Sequence, residues 1–220
     1  MKFKKKFTFS IAIDGAAASG KSTGSKIIAK FFNFKLLISG ELYRYVAYRI
    51  IKDKKKISDR NYLKKITKNI TLEKLKNKKL YDPKVSSYVS IIAKIQFIRN
   101  LLKKFQKEFS KNKKFIIEGR DIASKILPDA DLKLFFKCSV KEKAKRRFKE
   151  FKNQNKKIAL REVEKALKRR DFMDKNRKES PLLFVKGAVL VDTTNLTLKQ
   201  MEAKLKKLVQ EAIQKKYGNL

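Results

Sequence analysis

The clearest chemical motif in the chain is a glycine-bounded loop over residues 15–22, which read GAAASGKS. This run matches the pattern G-x-x-x-x-G-K-[ST], and it stands between a predicted strand and a predicted helix, as the motif requires. Glycines bring backbone N–H groups close to phosphate oxygens, and the start of the following helix adds a favourable dipole. The loop therefore predicts a site for a nucleoside triphosphate.

Two side chains of this loop have expected tasks in phosphoryl transfer. Lys21 places a positive charge on the β- and γ-phosphates, and Ser22 supplies an oxygen to Mg²⁺, the expected metal cofactor. The predicted ATP-binding residues are Gly15, Ala16, Ala17, Ala18, Ser19, Gly20, Lys21, Ser22 and Thr23. The acceptor stays open at this point, because GTPases, ATPases and small-molecule kinases share the motif. A guanine-selecting N-K-x-D does not follow the later strands.

The strongly basic composition makes the few arginines informative. The chain has 48 lysines and 11 arginines against 21 acidic residues, which gives a formal net charge of +38. We attribute the bulk lysine excess to background composition rather than to a dedicated nucleic-acid surface, since no glycine-interleaved aromatic pattern accompanies it. Under that interpretation arginine marks positions where a planar fork must hold a carboxylate or a phosphate.

Several of these arginines stand near predicted strand ends or helix starts. Arg44 follows the second strand, Arg120 follows the strand FIIE, and Arg170 and Arg177 lie in the run RRDFMDKNR. Ligands of open α/β sheets bind outside the carboxyl ends of the strands. A second phosphate, carried by the acceptor, would neutralise such a cluster. The alternative is a set of surface salt bridges, which contribute little to stability.

Strand and helix patterns alternate along the chain, which predicts an α/β fold with a parallel sheet. The predicted strands cover residues 7–14, 35–38, 114–118, 132–138 and 187–192. The predicted helices cover 21–32, 41–52, 84–111, 140–152 and 159–172, with a last one from 198 onward. Residues 53–82 are polar and weakly patterned, so they are the best candidate for an inserted, mobile segment.

Absent residue types narrow the chemistry further. The chain has no histidine and one cysteine, Cys138, which excludes a disulfide framework, a histidine general base and a cysteine-rich zinc site. These features favour a reducing, cytoplasmic compartment. The apolar run after the basic first six residues stops at Asp14, so we interpret it as a strand rather than a secretory signal. No run of 18 apolar residues predicts a membrane helix.

Six segments together resemble the bacterial cytidylate kinases, which are nucleoside monophosphate kinases with a phosphate loop. They are IDGAAASGKST, ISGELYRYVA, the segment from Ser90 to Arg99, EGRDIASKILPDADLKLFF, RRDFMDKNR and SPLLFVKGAVLVDTT. The resemblance implies a three-layer α/β/α fold with a five-stranded parallel sheet. It also implies one kinase domain, with a core of residues 1–52, 112–146 and 161–220, an acceptor-binding insert of about 53–111 and a lid of about 147–160.

The resemblance also assigns roles to individual residues. It implies that the CMP phosphate is held by Ser39, Arg44, Arg120 and Arg177, the cytosine edge by Ser90, Arg99 and Asp121, and the ribose by Asp174. Arg170 matches an arginine that closes over the phosphates, so the catalytic set is Lys21, Arg120, Arg170 and Arg177. The sequence departs from the family at Glu118, where Asp is usual, at Glu41, where a small residue is usual, and at Tyr81, where Arg is expected. The insert also lacks the usual hairpin pattern.

The expected activity is ATP-dependent phosphorylation of CMP, and of dCMP, by a monomeric cytoplasmic enzyme that binds neither a membrane nor a specific nucleic acid. One alternative is a phosphate-loop kinase of another small metabolite, which would not need Ser90, Arg99 and Asp121. The other alternative is a basic nucleic-acid-binding protein with a residual nucleotide fold.

Overall fold

The structure is a computed structural model that describes residues 7–153 and 158–218. The chain divides into two units, one made of residues 1–36 and 113–220 and the other of Leu37–Asn112. The predicted lid of residues 147–160 falls partly on residues 154–157, which lie outside the described residues. Within the described parts, no helix is both long and apolar enough to span a membrane.

Five strands form one parallel sheet in the order β2-β3-β1-β4-β5. They are β1 (Phe9–Gly15), β2 (Lys35–Ile38), β3 (Lys114–Gly119), β4 (Leu132–Lys137) and β5 (Val189–Asp192). The near-continuous apolar run of β1 suits its place between β3 and β4, because a central parallel strand is covered on both faces. Asp14 at the carboxyl end of β1 pairs with Gly119 on one side and Phe135 on the other. The predicted α/β fold with a parallel sheet is confirmed.

Eight α-helices connect and flank these strands in the described residues. They are α1 (Lys21–Phe32), α2 (Ser39–Lys52), α3 (Arg60–Lys68), α4 (Pro83–Ile92), α5 (Gln96–Phe109), α6 (Val140–Lys152), α7 (Leu160–Asn176) and α8 (Leu198–Tyr217). A single π-helical turn, Ile122–Ile126, follows β3. Every predicted helix has a counterpart here, although the segment 84–111 is divided in two.

The main core of the first unit lies between the sheet and the helices α1 and α8. Buried side chains of β1 and β4, including Ile11, Ile13 and Phe136, pack with Ile28 of α1 and Leu205 of α8. Burial of such apolar surface is the dominant favourable contribution to folding. A smaller cluster joins the phosphate loop to α6 and α7 through Ala17, Ala144, Val163 and Leu167. These contacts give the loop a packed support.

The polar segment 53–82, which was predicted as an inserted, mobile segment, contains folded elements. It contains α3 and two 3₁₀ turns, Lys74–Lys76 and Lys78–Tyr81. Several of its sparse apolar residues are buried, among them Leu63, Ile66, Leu75 and Leu80. Lysines fill the intervening positions, so the apolar pattern is diluted in the sequence even though most of the aliphatic side chains are buried, with Leu72 as an exposed exception.

The segment 84–111 was predicted as one long helix and is two helices, α4 and α5. The break falls at Ala93–Ile95, where turn bonds join Lys94 N–H to Ile91 O and Ile95 N–H to Ile92 O. Ile95 then takes an extended conformation before α5 begins. The prediction was wrong because the apolar spacing continues across the break, and neither glycine nor proline marks it.

Candidate active site

The phosphate loop has the backbone conformation that its glycines were expected to allow. Gly15 has φ +155° and Gly20 has φ +85°, which L side chains rarely adopt. A Cβ on Gly15 would lie 2.5 Å from the carbonyl oxygen of Phe136. Gly20 directly precedes α1, so the N–H groups of the first helical turn border the loop. This arrangement suits phosphate binding.

Two residues that the sequence analysis did not select support this loop. The Thr193 hydroxyl donates to the Ser19 carbonyl at 2.9 Å. Arg146 of α6 donates in turn to the Thr193 hydroxyl at 3.1 Å and to the Thr193 carbonyl at 2.7 Å. The sequence offered one indication of Arg146: the chain has only eleven arginines, so each arginine position is informative.

Lys21 is buried beside a carboxylate at the end of the neighbouring strand. Its Nζ donates to Ala16 O at 3.1 Å and lies 3.5 Å from Glu118 Oε1. Burial, with a further contribution from the charge of Arg120, lowers the pKa of Lys21 to about 8, so the amine stays mostly protonated at pH 7. Glu118 Oε2 is buried and has no hydrogen-bond partner. The carboxylate of Glu118 therefore compensates the charge of Lys21.

The donor set around the loop fits a magnesium ion that arrives with a nucleotide. Ser22 is the first residue after Lys21 in α1, and its side chain is partly exposed. Among the described residues, no group of three or more acidic, histidine or cysteine side chains forms a metal cage. Mg²⁺ commonly keeps several waters and is held by substrate phosphates with one or two protein oxygens. A single hydroxyl at this position agrees with that mode.

The first unit joins three of the predicted acceptor residues in one charged cluster. Arg120 Nε donates to Asp174 Oδ2 at 2.8 Å, and Arg177 Nη1 lies 3.9 Å from Asp174 Oδ1. Burial alone would raise the pKa of Asp174, but the charges of Arg120, Arg170 and Arg177 outweigh it and hold this pKa below its usual value. Asp174 therefore stays ionised and keeps the two guanidinium groups together.

Arg170 belongs to the same electrostatic environment. Its positive charge contributes to lowering the pKa of both Lys21 and Asp174. Arg170 lies on α7. The residue that follows it in the same helix, Asp171, forms a largely buried ion pair with Lys143 of α6. This pair attaches α7 to α6 and so fixes the helix that carries Arg170 and Asp174. Lys143 was not predicted, because nothing distinguishes it from the other lysines in the sequence.

Asp121 lies in the loop between β3 and the π-helical turn, and it is buried. Its carbonyl accepts the N–H of Lys125 at 2.9 Å. Asp14, which the sequence analysis treated only as the end of a strand, accepts the backbone N–H groups of Ile122 and Ala123 directly after Asp121. The loop that carries Arg120 and Asp121 is thus bonded to β1.

The second unit holds the remaining predicted acceptor residues. Arg44 of α2 donates to Leu80 O at 3.0 Å and to Ser86 Oγ at 2.7 Å, with its guanidinium 4.8 Å from the ring centroid of Tyr81. The Tyr81 hydroxyl donates to Glu41 Oε1 at 2.6 Å. The two unusual residues Glu41 and Tyr81 therefore contact each other, and Tyr81 also supports Arg44.

The predicted base-reading residues of this unit have different surroundings. Arg99 is buried on α5, donates to Ala93 O at 3.2 Å and lies 5.9 Å from the ring centroid of Tyr43. Arg99 thus bonds the carbonyl of Ala93, the residue directly after α4, at the helix break. Ser90 is exposed on α4, and its hydroxyl donates to Ser87 O.

Ser39 begins α2 and is paired with a residue that the sequence did not indicate. Its hydroxyl accepts from Gln106 Nε2 of α5, and both side chains are buried. A buried amide on the apolar face of α5 has no distinctive signal in the sequence, so only the structure reveals this contact. The first unit therefore joins Arg120, Asp174 and Arg177 directly, whereas each predicted residue of the second unit contacts a residue that was not predicted.

Comparisons with known proteins show what the whole chain is similar to. The family model for cytidylate kinase matches residues 11–211. A cytidylate kinase of Fusobacterium nucleatum subsp. nucleatum is 37% identical over 201 residues, which cover 87% of this chain and 92% of that protein. A cytidylate kinase of Caldanaerobacter subterraneus subsp. tengcongensis is 34% identical over 218 residues, which cover 94% and 96%. The structure of a shikimate kinase from Acinetobacter baumannii in complex with shikimate has a TM-score of 0.51 and 12% identity, covers 96% of this chain and 97% of its own, and shows likeness of fold alone.

Proposed function

The chain belongs to the cytidylate kinase family, and from that premise we propose that it transfers the γ-phosphoryl group of ATP to CMP, and to dCMP. The products are ADP and CDP or dCDP. The observation that carries the proposal is the grouping, in one unit, of a complete phosphate loop with the ion-paired Arg120, Asp174 and Arg177. The loop suits the donor, and the arginines suit a second phosphate.

The reaction needs charge and alignment more than proton transfer. The attacking phosphate oxygen of CMP is already ionised, so the absence of histidine does not prevent catalysis. Charge spreads over the equatorial oxygens of the transferred group, and positive groups stabilise it. We assign that task to Lys21, Arg120, Arg170 and Arg177, with Lys21 leaving Glu118 for the phosphates of ATP.

Mg²⁺ enters this scheme as the partner of ATP. When bound, the ion neutralises charge on the β- and γ-phosphates. Ser22 would hold it through its hydroxyl oxygen. The residues Gly15 to Thr23 would supply the remaining contacts to the nucleotide through backbone N–H groups and short side chains.

The recognition of CMP is assigned residue by residue. We propose that Ser39, Arg44, Arg120 and Arg177 hold the phosphate and that Asp174 accepts a ribose hydroxyl. The cytosine edge is read by Ser90, Arg99 and Asp121. Cytosine presents an N4 donor and an N3 acceptor, whereas uracil presents the opposite pattern at these positions. An aspartate therefore suits N4, and an arginine suits N3 or O2.

The remaining features of the proposal concern the enzyme as a whole. The segment around residues 147–160 is proposed to act as a lid over ATP, which would exclude water and limit wasteful hydrolysis. We propose a monomeric enzyme of the cytoplasm that needs no membrane and no specific nucleic acid. Size-exclusion chromatography with and without nucleotides tests the oligomeric state.

A coupled assay with a panel of acceptors tests the proposed function directly. The panel contains ATP with CMP, dCMP, UMP, AMP, GMP and shikimate, each at matched concentrations. We expect CMP to give the highest kcat/KM and to exceed UMP by about 100-fold or more, since a mismatched buried polar group costs roughly 1–3 kcal/mol and more if charged. Turnover of shikimate without turnover of any monophosphate would support a kinase of another metabolite instead.

The role of Asp121 gives a sharper test within the same assay. Asp121→Ala should lower kcat/KM for CMP far more than for UMP, because the carboxylate suits the N4 amino group and opposes the uracil carbonyl. The matched control is Asp129→Ala, which removes an exposed aspartate eight residues further along and should leave both values unchanged. An equal loss on both nucleotides would mean that Asp121 only orients Arg120.

A further inference from the structure

Asp14 of β1 lies beside both ends of the loop Arg120-Asp121. Before the loop, the backbone of Asp14 is in register with Gly119 in the β1–β3 pair. After the loop, Asp14 Oδ1 accepts the N–H of Ile122 at 2.9 Å, and Oδ2 accepts the N–H of Ala123 at 2.7 Å. The side chain is only 2% exposed, so both bonds are shielded from water.

This arrangement leaves the two loop residues little freedom. Two charge-assisted bonds to backbone N–H groups are stronger than neutral ones, and their removal in a buried place leaves unsatisfied donors. The side chains between the two attachment points, Arg120 and Asp121, are those assigned to the phosphate and the base. A small displacement of such groups is costly, because specificity and alignment depend on distances of a few tenths of an ångström.

We propose that Asp14 is a positioning residue that sets the preference for cytosine by fixing the backbone of Arg120 and Asp121. The inference rests on the proposed function, since it presumes that Asp121 reads the base. Asp14 acts through the loop and does not itself touch the substrate. Its removal should therefore alter the use of the acceptor more than the use of ATP.

The hold of Asp14 on the loop should depend on pH, because it requires an ionised carboxylate. Burial raises the pKa of Asp14 to about 6, against the lowering effect of its two backbone hydrogen bonds. Of the charged groups that act on it, Asp121 raises this pKa and Arg120 lowers it, while its register partner on β4, Phe135, carries no charge. At pH 7 the carboxylate is mostly ionised, and as the pH falls through 6 one of its oxygens gains a proton and becomes a weaker acceptor. The loop should then loosen.

The test compares Asp14→Asn with Asp131→Asn. Asp131, directly before β4, also accepts a backbone N–H, that of Ser10 at 2.8 Å near the start of β1. The control therefore makes the same change from carboxylate to amide at the opposite end of β1, and it also removes an ion pair with Lys216. We expect Asp14→Asn to raise KM for CMP about tenfold or more, to lower the CMP/UMP ratio of kcat/KM by a similar factor, and to change KM for ATP by less than about threefold. Asp131→Asn should move none of these values.

The CMP/UMP ratio of the wild type should also fall between pH 7 and pH 5.5, while the ratio of Asp14→Asn stays flat. The titration of the acceptor phosphate cancels in this ratio, because both nucleotides carry the same phosphate. An unchanged ratio in Asp14→Asn, or equal increases in KM for CMP and ATP, would overturn the inference.

Hydrogen exchange measures the two backbone bonds to Asp14 without any assay of activity. Hydrogen exchange of the Ile122 and Ala123 amides should be slow in the wild type at pH 7 and at least tenfold faster at pH 5.5, relative to buried sheet amides in the same samples. Unchanged relative protection at pH 5.5 would contradict the inference even if Asp14→Asn fails to fold. A wild type that phosphorylates neither CMP nor UMP would refute the proposed function. The exchange rates would still show whether Asp14 holds the backbone of Ile122 and Ala123.

Discussion

Lys21 illustrates how single residues of this site are prepared for their chemistry. Its ammonium is removed from water, yet Glu118 and the carbonyl of Ala16 compensate it. A buried charge without such partners would lose its proton or destabilise the fold. The phosphates of ATP can replace the carboxylate of Glu118, so a charge that is already desolvated is available for the transferred group.

Lys21→Ala should reduce kcat/KM by about 100-fold or more, since loss of one preorganised charge costs about 3 kcal/mol. The variant should also be less stable, because Glu118 is left buried without a partner. The double variant Lys21→Ala/Glu118→Gln should recover stability in thermal unfolding but not activity. Lys26→Ala, which removes an exposed lysine of the same helix, is the control and should behave as the wild type. Near-normal turnover of folded Lys21→Ala would refute the donor site.

The close approach of α1 to the sheet depends on one glycine. A Cβ on Gly24 would lie 2.7 Å from Phe136 Cζ of β4 and 2.9 Å from Leu205 Cδ1 of α8. Because Phe136 is fully buried, its ring has little room to withdraw. Glycine at position 24 therefore lets α1 pack closer to Phe136 and Leu205 than any residue with a Cβ at that position would allow.

Gly24→Ala should lower the midpoint of denaturant unfolding. Overpacking of a tight core costs about 1–3 kcal/mol, which exceeds the gain of about 0.5–1 kcal/mol from replacing a helical glycine by alanine. Gly40→Ala on α2 is the matched control, since a Cβ there meets nothing within 4 Å and should stabilise the protein. Equal midpoint shifts in both variants would contradict this account of α1 packing.

The elements also show which parts of the molecule the sequence can predict. The helix 21–32 and the strand 35–38 were predicted with the observed bounds, because glycines and apolar runs mark them. The break between α4 and α5 was missed, since Arg99 stabilises it through a contact to Ala93 O that no local pattern reveals. Asp14, Thr193 and Gln106 were missed for a different reason, since their partners lie more than 60 residues away in the chain.

Arginine and lysine have different roles in this protein. Of the eleven arginines, Arg44, Arg99, Arg120, Arg146 and Arg177 make hydrogen bonds within the described parts of the candidate site and its supports. The lysines are spread along the chain, and most of those within residues 7–153 and 158–218 are exposed. The planar fork of arginine is thus used where geometry matters, and the point charge of lysine supplies the bulk of the net charge.

This distribution predicts weak, sequence-independent binding to RNA. A diffuse lysine surface binds phosphates by counterion release, so affinity should fall steeply with salt and disappear above about 0.2 M. Fluorescence anisotropy with two 20-nucleotide RNAs of unrelated sequence, titrated at 50, 150 and 300 mM KCl, measures this affinity directly.

The two RNAs should bind equally at low salt, and heparin should displace both, because charge density is the property recognised. Adding saturating CMP and ATP should leave the RNA affinity unchanged, since the exposed lysines are separate from the buried Lys21. A complex that survives 150 mM KCl and prefers one sequence by tenfold would show instead that the net charge of +38 serves a specific nucleic-acid partner.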